Sequence, residues 1–244
     1  MRAIKIIFRR EFSSYLRSPF SWVPAALFLL VNGLLFQGFA LGSGGGGTLS
    51  AFVLERYFYA ASGAAIFAGM LLSFRLISEE RQNHSMVLLN TSPVKDSEII
   101  VGKYLASLAF LALLLAMSLY IPLMLKAGNK ITLGQIMVGY LGLLLVGSVS
   151  IAIGLFSSAL TRYQLVAGVI AAVLLLIMVF LFQFSKQLEG APREVFAELD
   201  MWWIHFQQGF MRGVLNLKDI VYYVAVTYFF LLLSVKTLEA KRWQ

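Results

Sequence analysis

Chemistry in this 244-residue chain would have to come from few groups: two histidines, His84 and His205, a Glu79-Glu80-Arg81 triplet, and a glycine-rich run from Gly42 to Thr48. A metal centre needs several His, Cys, Asp or Glu side chains converging on one point. The chain has no cysteine, which removes thiolate ligands and disulfides. His84 and His205 are separated by three long apolar runs, an odd number that sets them on opposite faces of a membrane, so no shared metal is expected. His205 reads as a hydrogen-bonded interfacial side chain. Gly42 to Gly47 supply the two outer glycines of a phosphate-binding loop, but Thr48 stands where the essential lysine belongs. The sequence therefore predicts no nucleotide site, no metal and no catalytic residue, and the glycine run reads as an outer linker.

The elements that must position the remaining groups are apolar. Hydrophobic residues make up 59% of the chain and charged residues 13%, against roughly 25% charged in a soluble domain. About 20 apolar residues cross a hydrocarbon core as a helix. Six runs qualify: Phe20 to Leu41, Tyr57 to Ile77, Tyr104 to Leu125, Ile136 to Leu160, Leu165 to Phe184 and Ile220 to Val235. The expected fold is an all-α, six-span integral membrane protein forming one domain over residues 1–244. The first run is too long for a signal-peptide core and reads as a retained anchor. With Arg75 counted to the polar segment it borders, the spans hold no Asp, Glu, Lys, Arg or His, which disfavours a proton-coupled carrier or an intramembrane protease. Asn32, Gln37 and Gln183 read as interhelical hydrogen-bonding groups.

The net charge of +8 divides unevenly. The N-terminal segment, Arg75 to Lys103, Arg162 and the C-terminal segment hold thirteen of the twenty Lys and Arg and a net +7, the other side +1. Basic residues mark the cytoplasmic side, so both termini and residues 78–103 are expected there. The charge marks a membrane face and not a nucleic-acid surface. Met1 to Ser18 place Ile4, Ile7, Phe8, Phe12, Tyr15 and Leu16 at helical spacing, predicting an amphipathic helix on the inner membrane surface, ended by Pro19. Ser78 to Leu89 are expected to extend the second helix past the membrane. Thr91 and Ser92 would cap a new helix with Pro93 at its first position and Asp96 and Glu98 at its positive end. Gly147, Ser150, Gly154 and Ser157 line one face of the fourth span for close helix packing, within the subunit or at a dimer seam. In the outer segment 185–219, Leu199, Trp202, Trp203, Phe206, Phe210 and Leu217 suggest short helices dipping into the outer leaflet.

These residues carry a resemblance. "RLISEERQNHSMVLLNTSPVKDSEIIVGKY", from Arg75, resembles the signature loop of ABC-2-type exporter permeases. "GLFSSALTRYQLVAG", from Gly154, resembles their loop between spans four and five. "HFQQGFMRGVLNLKDIVYYVAVTYFFLLLSVKTLEAKRW", from His205, is similar to the C-terminal block of a gliding-motility-associated subgroup. The resemblance implies an interfacial N-terminal helix, a cytoplasmic coupling helix between spans two and three, and re-entrant outer helices between spans five and six. It also implies a second permease subunit, identical or not, and two ATP-binding subunits that hold ATP and magnesium, so the chain itself is expected to be no enzyme. Carried over residue by residue, the coupling role falls to Glu79, Glu80, Arg81, His84, Ser85 and Pro93, with Arg162 as a second contact; His84-Ser85 replace the family's frequent Gly-Thr. The function implied is export across the bacterial inner membrane; the alternative is a membrane anchor or motor subunit of a gliding or pilus machine with the same ATPase coupling.

Overall fold

The computed structural model describes residues 2–41, 50–83, 94–128, 131–187 and 189–242, and among these there is no strand. Helix α1 (Arg2–Arg17) stops at Ser18, whose extended backbone precedes Pro19 at the first turn of α2 (Pro19–Leu35). That is the break the proline dictates, because its ring pushes the preceding residue out of the helical region. The first span continues as a π-helical stretch, Phe36–Leu41. Then come α3 (Ser50–Ser73), α4 (Ser78–Gln82), α5 (Asp96–Ser118), α6 (Tyr120–Gly128), α7 (Leu133–Leu160), α8 (Gln164–Ser185), α9 (Ala191–Glu198) and α10 (Leu217–Arg242). Among the described residues, six stretches are long and apolar enough to cross a membrane: Ser21–Gly38, Phe52–Gln82, Asp96–Met124, Leu133–Leu160, Gln164–Ser185 and Leu217–Lys241. They overlap the six expected runs.

Helix α7 is the axis of the bundle. Every residue from Val146 to Leu155 is buried, and α3, α5, α8 and α10 pack around it. Small side chains permit the approach. A Cβ on Gly69 of α3 would stand 3.0 Å from the Gly147 carbonyl oxygen; one on Gly147 would strike Leu111 of α5, and one on Gly154 would strike the Ser73 hydroxyl. Ser150 and Ser157 are fully buried and bond back to Val146 and Ile153 of their own helix. The glycines of this face thus meet α3 and α5 of the same chain.

The structure departs from the sequence reading at several points. The second span does not run straight into the following segment: turn residues 74–77 separate α3 from α4, because the Ser158 hydroxyl of α7 takes the amides of Ile77 and Ser78, at 2.9 Å each. Helix begins at Asp96 and runs unbroken past Tyr104, since Ile99, Ile100 and Tyr104 are buried in the bundle. The expected helix start, with Thr91 and Ser92 as caps and Pro93 at the first position, lies outside the described residues. The third span breaks at Leu119 because Pro122 lacks the amide that would bond the Ser118 carbonyl. Helix α1 turns Ile7 and Tyr15 to α5 while Leu16 is exposed, so much of its apolar face meets protein. In the outer segment Phe206 and Phe210 are fully buried, against Gly142 of α7. The polar segment 84–93, with His84 and Ser85, and residues 42–49 lie outside the described residues.

Candidate functional site

The end of the bundle shared by α1, α4 and the last turn of α10, termed the basal end, carries the charged site. Helix α1 brings Arg10 and Glu11, α4 brings Glu80, and α5 brings Lys103, which is only 1% exposed. Lys103 Nζ lies 3.0 Å from Glu11 Oε1 and 2.9 Å from Glu80 Oε1. Arg10 closes the ring from the solvent side, at 2.6 Å from Glu11 and 2.8 Å from Glu80. Two cations and two carboxylates from three elements therefore neutralise one another, which is the condition for burying a lysine. Burial alone would raise the Glu11 carboxyl, but Lys103 and Arg10 outweigh it and hold it below its ordinary value.

One turn along α1, the fully buried Tyr15 hydroxyl donates to the Leu72 carbonyl of α3 at 2.8 Å and lies 2.9 Å from the Ser107 hydroxyl of α5. Burial pushes its phenol well above the usual value, so it stays a donor. Its ring stacks on Phe110 at 5.1 Å. Beside this cluster opens a cleft of about 510 Å3 lined by Ser18, Ser21, Arg75, Glu79, Asn83 and Gln164 among others. Glu79 and Glu80 both line this cleft, and Glu80 also joins the ion ring.

The next residue turns elsewhere. Arg81 Nη1 donates to the Ala159 carbonyl of α7 at 2.7 Å, and Lys241 of α10 reaches Ala159 and Leu160, at 3.2 and 2.5 Å. Helix C-termini expose unpaired carbonyls and a partial negative charge, and both cations answer it. Arg162 is exposed in the turn from α7 to α8. On the far side of residues 84–93, α5 opens with the Lys95 amide donating to Glu98 Oε2 at 3.4 Å and Asp96 in the first turn. Of the residues singled out in the sequence, Glu79, Glu80 and Arg81 are thus together, Arg162 lies beyond α7's end, and His84, Ser85 and Pro93 are not described.

Several residues escaped the sequence reading. Glu11 and Lys103 counted only as charges on the basic side; the one signal was a lone acid within a basic helix. At the opposite end, Asp200 accepts the amides of Phe182 at 3.0 Å and Trp202 at 2.9 Å, while Tyr223 donates to the Met201 carbonyl at 2.6 Å. His205 is buried, its Nδ1 2.7 Å from Asp219 and its Nε2 3.0 Å from the Glu198 carbonyl. These bonds fasten the segment between α8 and α10, and His205 serves as the hydrogen-bonded structural group its type suggested.

No curated protein matches the chain. The family model for the ABC-2 family transporter protein matches residues 5–234, from α1 into the last helix. A family of this kind supplies the membrane part of an ABC transporter and works with an ATP-binding subunit. With six membrane-crossing helices and a match over nearly its whole length, the chain belongs to the ABC-2 transporter family and is a multi-pass permease component of an ABC transporter.

Proposed function

We propose that this permease exports a substrate across the cytoplasmic membrane, with its basal end in the cytoplasm, and that ATP is hydrolysed with magnesium in two copies of a separate subunit. The orientation is supported by the charge split, net +7 on the basal side against +1. A second permease subunit completes the path. Residues 78–103 form the coupling segment, which receives the closure of the ATP-binding subunits as a rigid-body push. Glu79, His84, Ser85 and Pro93 make the contact. Helix α1 is the interfacial helix, with Ile6 and Leu16 exposed toward the lipid boundary, and the outer segment between α8 and α10 is the re-entrant element.

The observation that carries the coupling reading is that both flanks of residues 84–93 are fastened to the bundle. Glu80 is held by Lys103 and Arg10, Ile77 and Ser78 by Ser158, and Arg81 by Ala159 on one side; α5 begins on the other. A push on a segment anchored in this way moves α1, α3, α5 and α7 together. The test is co-purification of the ATP-binding subunit, ATPase rate and export in Glu79→Lys and Pro93→Gly. Glu79→Lys is expected to weaken assembly. Pro93→Gly should leave the complex intact while hydrolysis continues without export, because the other contact residues are kept while glycine gives the backbone more freedom. If all three readouts match wild type in both variants, the segment is a passive connector.

A further inference from the structure

The carbonyl end of α7 gathers more positive charge than capping requires. Arg81 and Lys241 donate to the same Ala159 carbonyl, and Arg162 stands within electrostatic reach of both. A helix C-terminus offers the equivalent of about half a negative charge, against three cations here. Among the described residues none of the three forms an ion pair. Arg81 gives only one N–H to Ala159, of the five a guanidinium carries. At the neighbouring ring, by contrast, Arg10 and Lys103 are matched by Glu11 and Glu80. The cluster therefore carries positive charge that no carboxylate offsets among the described residues.

Its surroundings indicate what would offset it. Two of the residues that follow Arg162 are bare, Tyr163 at 67% exposed and Leu165 at 85%. They open α8, a lipid-facing span whose Val166, Val169 and Val173 are also exposed. An exposed tyrosine and leucine beside a cation mark the headgroup layer, where a span leaves the hydrocarbon. A protein partner would meet bare leucine and valine at this height; a lipid would satisfy both the charge and the apolar surface. We propose that Arg81, Arg162 and Lys241 hold the headgroup of an anionic phospholipid at the end of α7, with its acyl chains along α8. The site takes individual lipid molecules and is independent of what the permease transports.

The experiment is lipid titration of the purified full chain in detergent, read by native mass spectrometry. The probes are dioleoylphosphatidylglycerol, dioleoylphosphatidylcholine and free glycerol 3-phosphate. Phosphatidylglycerol should be retained in preference to phosphatidylcholine, and glycerol 3-phosphate should not bind at equal concentration. Each cation removed is expected to weaken retention about fivefold, near the contribution of one basic side chain at an anionic surface. Arg162→Gln removes no capping bond, so its folding is not at stake; Arg162→Gln/Lys241→Gln should weaken retention further. Equal retention of the two lipids, unchanged selectivity in both variants, or equal binding of glycerol 3-phosphate would overturn the proposal. So would loss of the bound lipid on adding the ATP-binding subunit, which would give the cations to a protein interface.

Discussion

Replacing Lys103 with Met should release α1 from the bundle. Methionine keeps most of the side chain's volume, so the change isolates charge. It leaves Glu11 and Glu80 facing each other, with Arg10, about half exposed, still bonded to both. Breaking a buried ion pair by deleting one member costs about 3–5 kcal/mol. Because Arg10 still bonds both carboxylates, the lower figure applies. About 3 kcal/mol corresponds to roughly a hundredfold in the docking equilibrium. The chain has no cysteine, so a single Ile7→Cys reports the event: Ile7 is buried, and its side chain would be 2.8 Å from a Cβ on Gly102 of α5. Thiol labelling at that position should speed up about a hundredfold in Lys103→Met relative to Ile7→Cys alone. Neutralising the carboxylates as well, with Glu11→Gln and Glu80→Gln, should recover most of the loss. A labelling rate within about threefold of the parent would refute the idea that the ion ring holds α1.

The same ring predicts a pH dependence. A carboxyl whose folded value is lowered contributes stability that is present above its unfolded value and is lost as pH falls through the folded one. The unfolding temperature in detergent should therefore drop on acidification through and below the ordinary carboxylate range, and Glu11→Gln should flatten that slope. Ser158→Ala leaves the amides of Ile77 and Ser78 without their acceptor, for a cost of about 1–3 kcal/mol each. Ser157→Ala, which removes only a bond to its own helix, should stay near wild type in the same denaturation assay. Gly154→Val drives a side chain into Ser73 and should destabilise by about 1–3 kcal/mol, whereas Gly33→Ala, which meets nothing within 4 Å, should not.

The spans were legible because their signal is local. A run such as Leu165 to Phe184 declares a membrane helix without reference to any other part of the chain. The N-terminal break was equally local, residing in Pro19. The break at 74–77 was not, since it depends on the hydroxyl of Ser158, 81 positions from Ile77. Pro122 did carry the signal for the break at Leu119, but a continuous apolar run around it reads as one span. For the site, Glu79 to Arg81 stood out as charge beside a span, yet their different duties were hidden, because each is set by a partner on another helix. Lys103 illustrates the reason most plainly. In the sequence it marks the end of a polar loop; in the fold it is buried because Glu11, 92 positions earlier, and Glu80 come to it.

The double cap on α7 also has a place in time. Arg81 is synthesised before Ala159, so it is at hand as soon as α7 is made. Lys241 comes 82 positions after Ala159, roughly 4–16 s later at about 5–20 residues per second. During that interval the helix end has the Arg81 bond without that of Lys241, and α10 is not yet present to pack on α7. The bundle's axis must wait, partly dressed, for its final neighbour. A pause in translation between Leu160 and Lys241 would prolong that exposed intermediate, and the nascent chain would be at its most vulnerable to membrane proteases then, before the last span arrives.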